Sequence, residues 1–138
     1  MSSIPDVSRW TKVGATDNAD LYEIEPGILG IVPHEGSIDT KETAIVNVER
    51  QHQYWRTQGR RGGVVIFMDR IRDTHVDARK VYGSLPDPSL ITGFALIGST
   101  VFGRAVASVF LGLGRPAIPT KMFGDLERAL AWLCEQNG

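Results

Sequence analysis

The sequence predicts a single-domain α/β protein whose mixed, mostly parallel sheet opens with an N-terminal β-hairpin and carries about four helices. Three observations point there. Two short apolar runs without internal charge, Val64–Met68 and Leu90–Ile97, suit inner strands covered on both faces. Near the N-terminus, a period-two segment, a Pro-Gly pair and a second apolar run read as a hairpin. Beyond it, strand-like and helix-period segments alternate, which calls for right-handed crossovers with helices packed on the sheet.

Residues 1–19 are polar and punctuated by Pro5, Gly14 and Asn18, and read as a lead-in that is loose or docked through Val7 and Trp10. The α/β domain then occupies residues 20–138. From Leu21, Tyr22 and Ile24 alternate with Glu23 and Glu25, and Ile28–Val32 returns as the second strand. Between them, Pro26 presets a turn angle and Gly27 accepts a positive φ. Asp39, with Glu42 three residues on, has the spacing of a capping box and starts the first long helix. Its apolar face is Ile45, Val48, His52 and Trp55, and Gly59 is its stop.

A central strand follows at Gly63–Met68, then a charged stretch from Asp69 to Lys80 that runs into a short helix ending near Gly83. Leu90–Ile97 is the second buried strand. Ser99 caps a helix from Val101 to Leu113, closed by Gly114 and Pro116. Ala117–Phe123 is a short last strand, placed at an edge because Pro119 cannot donate to a ladder. Asp125 caps the final helix, whose stripe is Leu126, Ala129, Leu130, Leu133 and Cys134.

Composition narrows the function. With 138 residues the chain can bury a core without disulfide or metal support. Fifteen basic against sixteen acidic residues leave a net charge of -1, which removes a broad electrostatic case for nucleic acid. Cys134 is alone, so an internal disulfide is excluded and a reducing, cytoplasmic setting is the simpler expectation. No run of about 20 apolar residues exists to span a bilayer. Walker, dinucleotide and nucleophile-elbow motifs are missing, so no cofactor is expected.

The C-terminal half carries a family likeness. Phe94-Ala95-Leu96-Ile97-Gly98-Ser99 is followed by Phe110-Leu111-Gly112-Leu113-Gly114-Arg115-Pro116, then Pro119-Thr120-Lys121-Met122-Phe123 and Ala129-Leu130-Ala131-Trp132-Leu133. Together with the element order, these resemble the STAS domains, the anti-sigma-factor antagonist-like fold, and most closely STAS-like bacterial proteins of uncharacterised role. The resemblance implies a Ser or Thr phosphoacceptor at the start of the helix after the central strand. Only Thr74, preceded by Asp73, offers one here, and with a gap; the ungapped register puts Ala78 there.

The residues themselves allow simpler roles. Thr74-His75-Val76-Asp77 is a Thr-x-x-Asp capping sequence for the short helix. Asp73, His75 and Asp77 are three potential metal ligands, yet a helix starting at Thr74 would splay them, so no metal is expected. The charged stretch lies beyond a central strand's C-terminal end, where open α/β sheets bind ligands. Asp69, Arg70, Arg72, Asp73, His75 and Asp77, with Ser99 and Arg104, are therefore the candidate ligand or partner surface. Leu111 and Phe110 belong to a helix apolar nearly all round and mark a candidate dimer face. His52 reads as a core histidine, His34-Glu35 as surface, and Arg56, Arg60 and Arg61 as a solvated basic loop.

Three functions remain open. The first is a non-enzymatic STAS-like regulatory or interaction module, expected as a homodimer with a regulatory protein partner. The second is a carrier or sensor of an apolar small molecule or lipid beside the Val101 helix. The third is an enzyme or metal site around Asp73, His75 and Asp77.

Overall fold

Where the hairpin begins, Gly27 adopts φ 87°, so the chain reverses at the Pro-Gly pair and the flanking strands zip antiparallel. The computed structural model describes residues 5–100 and 118–138. In order these form β1 (Thr11–Ala15), β2 (Ala19–Glu25), β3 (Ile28–Pro33), β4 (Ser37–Asp39), α1 (Lys41–Gln58), β5 (Gly62–Phe67), β6 (Ile71–Thr74), α2 (Val76–Ser84), β7 (Ile91–Ile97), β8 (Thr120–Phe123) and α3 (Leu126–Asn137). The main sheet has the order β1-β2-β3-β5-β7-β8. The β1-β2 and β2-β3 pairs are antiparallel, whereas β3-β5, β5-β7 and β7-β8 are parallel. The predicted α/β class and the side-by-side pairing of the two apolar runs both hold.

Those runs are apolar because both faces are covered. All seven residues of β7, five of the six of β5 and all six of β3 are buried. Within β3, Leu29 and Ile31 join Leu21, Val64 and Leu96 in a core that includes Tyr54 and Trp55 of α1. The alternate residues Ile28 and Val32 join Val65, Ala95 and Ile97 in a second core under Ala129 and Leu133 of α3. A two-layer burial of this kind leaves no polar side of the strand for periodicity to reveal.

Several element boundaries differ from the sequence reading. The lead-in contains β1, which pairs with β2 at the sheet edge; its exposed, short pattern gave no apolar alternation to detect. Val7 and Trp10 do pack on the second core. α1 is capped by Thr40 with Thr43 in a reciprocal capping box, one residue after the Asp39–Glu42 expectation, because Asp39 is still in β4. The inner face of α1 is Ala44, Asn47, Val48, Gln51, His52, Tyr54 and Trp55, while Ile45 is 37% exposed. Apolar character misassigned Ile45 because three polar residues occupy the buried stripe. Gly59 ends the helix with φ 68°, as expected.

Within the charged stretch, the chain makes a 3-10 turn at Met68–Arg70 and then β6, which pairs with β4 in a separate two-stranded parallel sheet. Pro119 precedes β8 at the sheet edge, and Asp125 caps α3 by accepting from the Arg128 amide. Cys134 is exposed, contrary to its place on the expected buried stripe, since α3 buries only Ala129 and Leu133 fully. The expected fourth helix, Val101–Leu113, lies outside the described residues. Among the described residues, no helix is long and apolar enough to cross a membrane.

Trp55 and Gly62 set the distance between α1 and the sheet. A Cβ at Gly62 would meet the Trp55 ring and, at 2.7 Å, the Gly27 carbonyl. Gly62→Ala is therefore expected to cost about 1–3 kcal/mol by overpacking. Chemical denaturation would check it; an unchanged midpoint would show that the helix can shift without cost.

Candidate functional site

The parallel pairing of β5 with β7 aligns Phe67 with Ile97, so the residues two positions beyond each strand, Asp69 and Ser99, emerge facing one another. Asp69 sits in the 3-10 turn and is 9% exposed. Its carboxylate accepts from the Ser99 amide at 3.1 Å, the Ser99 hydroxyl at 2.5 Å, the Thr100 amide at 3.0 Å and the Thr100 hydroxyl at 2.8 Å. Burial alone would raise its pKa. The bonds from Ser99 and Thr100 outweigh burial and hold the carboxyl below the usual 3.8. Asp69 is thus a buried clamp between two strand ends, where the sequence suggested an exposed surface group. Ser99 gives its hydroxyl to this clamp; whether it caps a helix falls outside the described residues.

Around the clamp, the predicted residues scatter. Arg70 reaches Glu35 at 3.2 Å, and its carbonyl accepts from the Gly36 amide at 2.9 Å, tying the turn after β5 to the end of β3. Arg72, Asp73, His75 and Asp77 are exposed. The Asp73 carboxylate accepts from the next amide, that of Thr74, at 2.9 Å. Among the described residues, no three acidic, histidine or cysteine side chains are placed to hold a metal ion. Asp73 lies in β6, whereas His75 and Asp77 lie at the start of α2. Arg104, Phe110 and Leu111 lie outside the described residues.

Thr74 does not cap α2. It is the last residue of β6, paired with Asp39, and His75 occupies the cap position without a side-chain bond. The Thr74 hydroxyl is buried and has no hydrogen-bond partner among the described residues. The capping reading failed because β6 extends the backbone through the residue that local sequence marks as a helix start.

A second polar centre went unseen in the sequence. Asp39, 7% exposed, accepts from Asn18 Nδ2 at 2.7 Å, Thr43 Oγ1 at 3.0 Å and Asn47 Nδ2 at 3.4 Å. Asn47 also donates to the Tyr82 hydroxyl at 3.1 Å, and its Oδ1 accepts from Thr16 at 2.6 Å. Burial, reinforced by the Asp39 charge, pushes the Tyr82 pKa up. The network joins the β1–β2 turn, β4, α1 and α2, beside a shallow depression lined by Thr16, Asp17, Asn18, Glu42, Thr43 and Val46. Its one local signal was Asn47 interrupting the helix stripe.

His52 is a satisfied core residue, as expected. Its Nε2 faces the Asp87 amide at 3.0 Å, which makes that nitrogen the acceptor of a neutral ring. Burial lowers its pKa from 6.5, with Glu49 opposing. The unfolded chain then takes up a proton below pH 6.5 that the folded chain refuses, so stability falls as the solution is acidified from there. The His52→Gln variant is expected to lose that part of the slope in pH-resolved denaturation; an identical slope would show that His52 is not the source.

Arg61 donates to the Pro88 carbonyl at 3.0 Å, and Arg56 and Arg60 are exposed beside it, in keeping with a solvated basic loop. Comparison with curated proteins finds no match. A family model, described as Domain of unknown function (DUF7793), matches residues 22–137, from within β2 to the last turn of α3. With most of its length matched, the chain belongs to that family.

Proposed function

We propose that the chain is a non-enzymatic regulatory or protein-interaction module of the STAS-like, anti-sigma-factor antagonist-like kind, working in the cytoplasm as a homodimer. The observation that carries this reading is the fate of Asp69. At the C-terminal end of a central strand, where a catalytic carboxylate would be exposed and free, it is saturated by four donors and its pKa is held down. Such a group is a poor proton acceptor and a good structural clamp. The order of a hairpin followed by parallel strands adds support to the likeness.

The exposed residues Arg72, Asp73, His75 and Asp77 carry both signs of charge, which suits a protein partner. Phosphorylation at Thr74 would require the end of β6 to open first, because the hydroxyl is buried. The carrier reading places its pocket beside residues outside the described set. The enzyme reading finds no convergent set among Asp73, His75 and Asp77.

The test is crosslinking of the tagged chain in its host, repeated with Arg72→Glu combined with Asp77→Lys. A specific protein partner captured by the wild type and lost by the double variant, at unchanged melting temperature, is the expected result. Capture that ignores the double variant, or capture of nothing but the chain itself, would overturn the partner surface. Light scattering at twice the chain mass is expected for the homodimer, and a strict monomer at high concentration would remove it.

A further inference from the structure

The second core is covered in two pieces of unlike character. α3 lies over β5, β7 and β8. Beside it, the segment from Pro5 to Ala15 brings Val7 and Trp10 onto the same core. The Trp10 ring stacks on Phe67 with centroids 5.7 Å apart and meets Tyr22 edge-on at 6.0 Å. The hold on this segment is otherwise slight. Four of the five β1 residues are exposed, and its ladder to β2 shifts register between Lys12 and Gly14. Lys12, itself exposed, pairs with the half-buried Asp20 at 3.4 Å. The family match begins at Tyr22, after all of it.

We propose that residues 5–15 are a detachable strap over a peptide-docking groove formed by the open edge of β2 and the aromatic seat of Tyr22 and Phe67. The occupant that fits is an extended protein segment with an aromatic side chain and, two residues later, a lysine or arginine. The strap itself displays that chemistry. Trp10 fills the seat, Thr11–Ala15 supply the backbone pairing, and Lys12 meets the Asp20 carboxylate. With the strap lifted, β2 presents unpaired N–H and C=O groups, the template on which an added strand binds. An edge strand with few buried contacts and a broken ladder belongs to the low-stability end of a fold, so it opens without unfolding the sheet. The groove is remote in kind from the charged surface of the regulatory reading, and neither stands or falls with the other.

A fluorescent synthetic peptide of residues 5–16 is the probe, added to the full chain and to its Trp10→Ala variant. The variant is expected to bind the peptide at least about tenfold more tightly than the wild type does, since the peptide replaces a strap that no longer competes. A peptide carrying the same Trp→Ala change should not bind, and one with Lys→Glu should bind more weakly. Failure of the variant to bind, or equal binding by wild type and variant, would overturn the proposal. Should Trp10→Ala not fold, native-state hydrogen exchange on the wild type decides. Amides of β1 exchanging at least about tenfold faster than those of β5 and β7 are expected, and exchange in step with them would overturn it.

Discussion

Trp55→Ala is expected to be among the most damaging single changes in this chain, with a loss of about 3–5 kcal/mol. Trp55 is 1% exposed, packs edge-on to Tyr54 with centroids 4.8 Å apart, and bears directly on Gly62. Truncation leaves a hole between α1 and the start of β5 that two backbone segments would have to collapse to fill. For a domain of this size, that is a fall in melting temperature on the order of 10 °C. Trp55→Phe should cost much less. It keeps most of the ring, and the indole N–H it deletes has no hydrogen-bond partner among the described residues. Equal losses for the two variants, measured by denaturant titration, would mean that this N–H matters more than the ring's volume.

Asp69→Ala is the second large effect, expected at about 2–4 kcal/mol. It removes the acceptor of four donors at once. Ser99 is exposed, so water recovers part of the loss and the full sum of four bonds is not reached. Asp69→Asn keeps the shape and one acceptor oxygen but turns a donor towards the hydroxyls, and should fall between wild type and Ala. The pH dependence separates charge from shape. Because the folded carboxyl titrates below 3.8, its contribution is present above that value and is lost as the pH falls through the lower, folded value. Both variants should lack this acid-limb loss. A wild type whose stability is flat below pH 3.8 would show that the clamp does not depend on the charge.

These two residues also show how far the sequence could be read. Trp55 was legible as core because it falls on the helix stripe with Val48 and His52. Asp69 was legible as a place, the residue just past a central strand, but its role was not. A carboxylate in a charged stretch looks solvated until the register of a neighbouring strand brings two hydroxyls and two amides against it, thirty residues away in sequence. Asp39 and Asn47 repeat the lesson, since their partners Asn18 and Tyr82 come from other elements.

Local chemistry was enough for the α/β class, the Pro-Gly hairpin, the glycine stop of α1 and the pairing of two apolar strands, because turn angles, helix caps and burial on both faces leave marks within a few residues. The edge strand β1, the β4–β6 pair, the exposure of Ile45 and Cys134, and the clamp on Asp69 depended on which elements came to lie side by side. Those contacts are made between residues far apart in the chain, and each side chain's burial and bonding follow from a neighbour that no local pattern names.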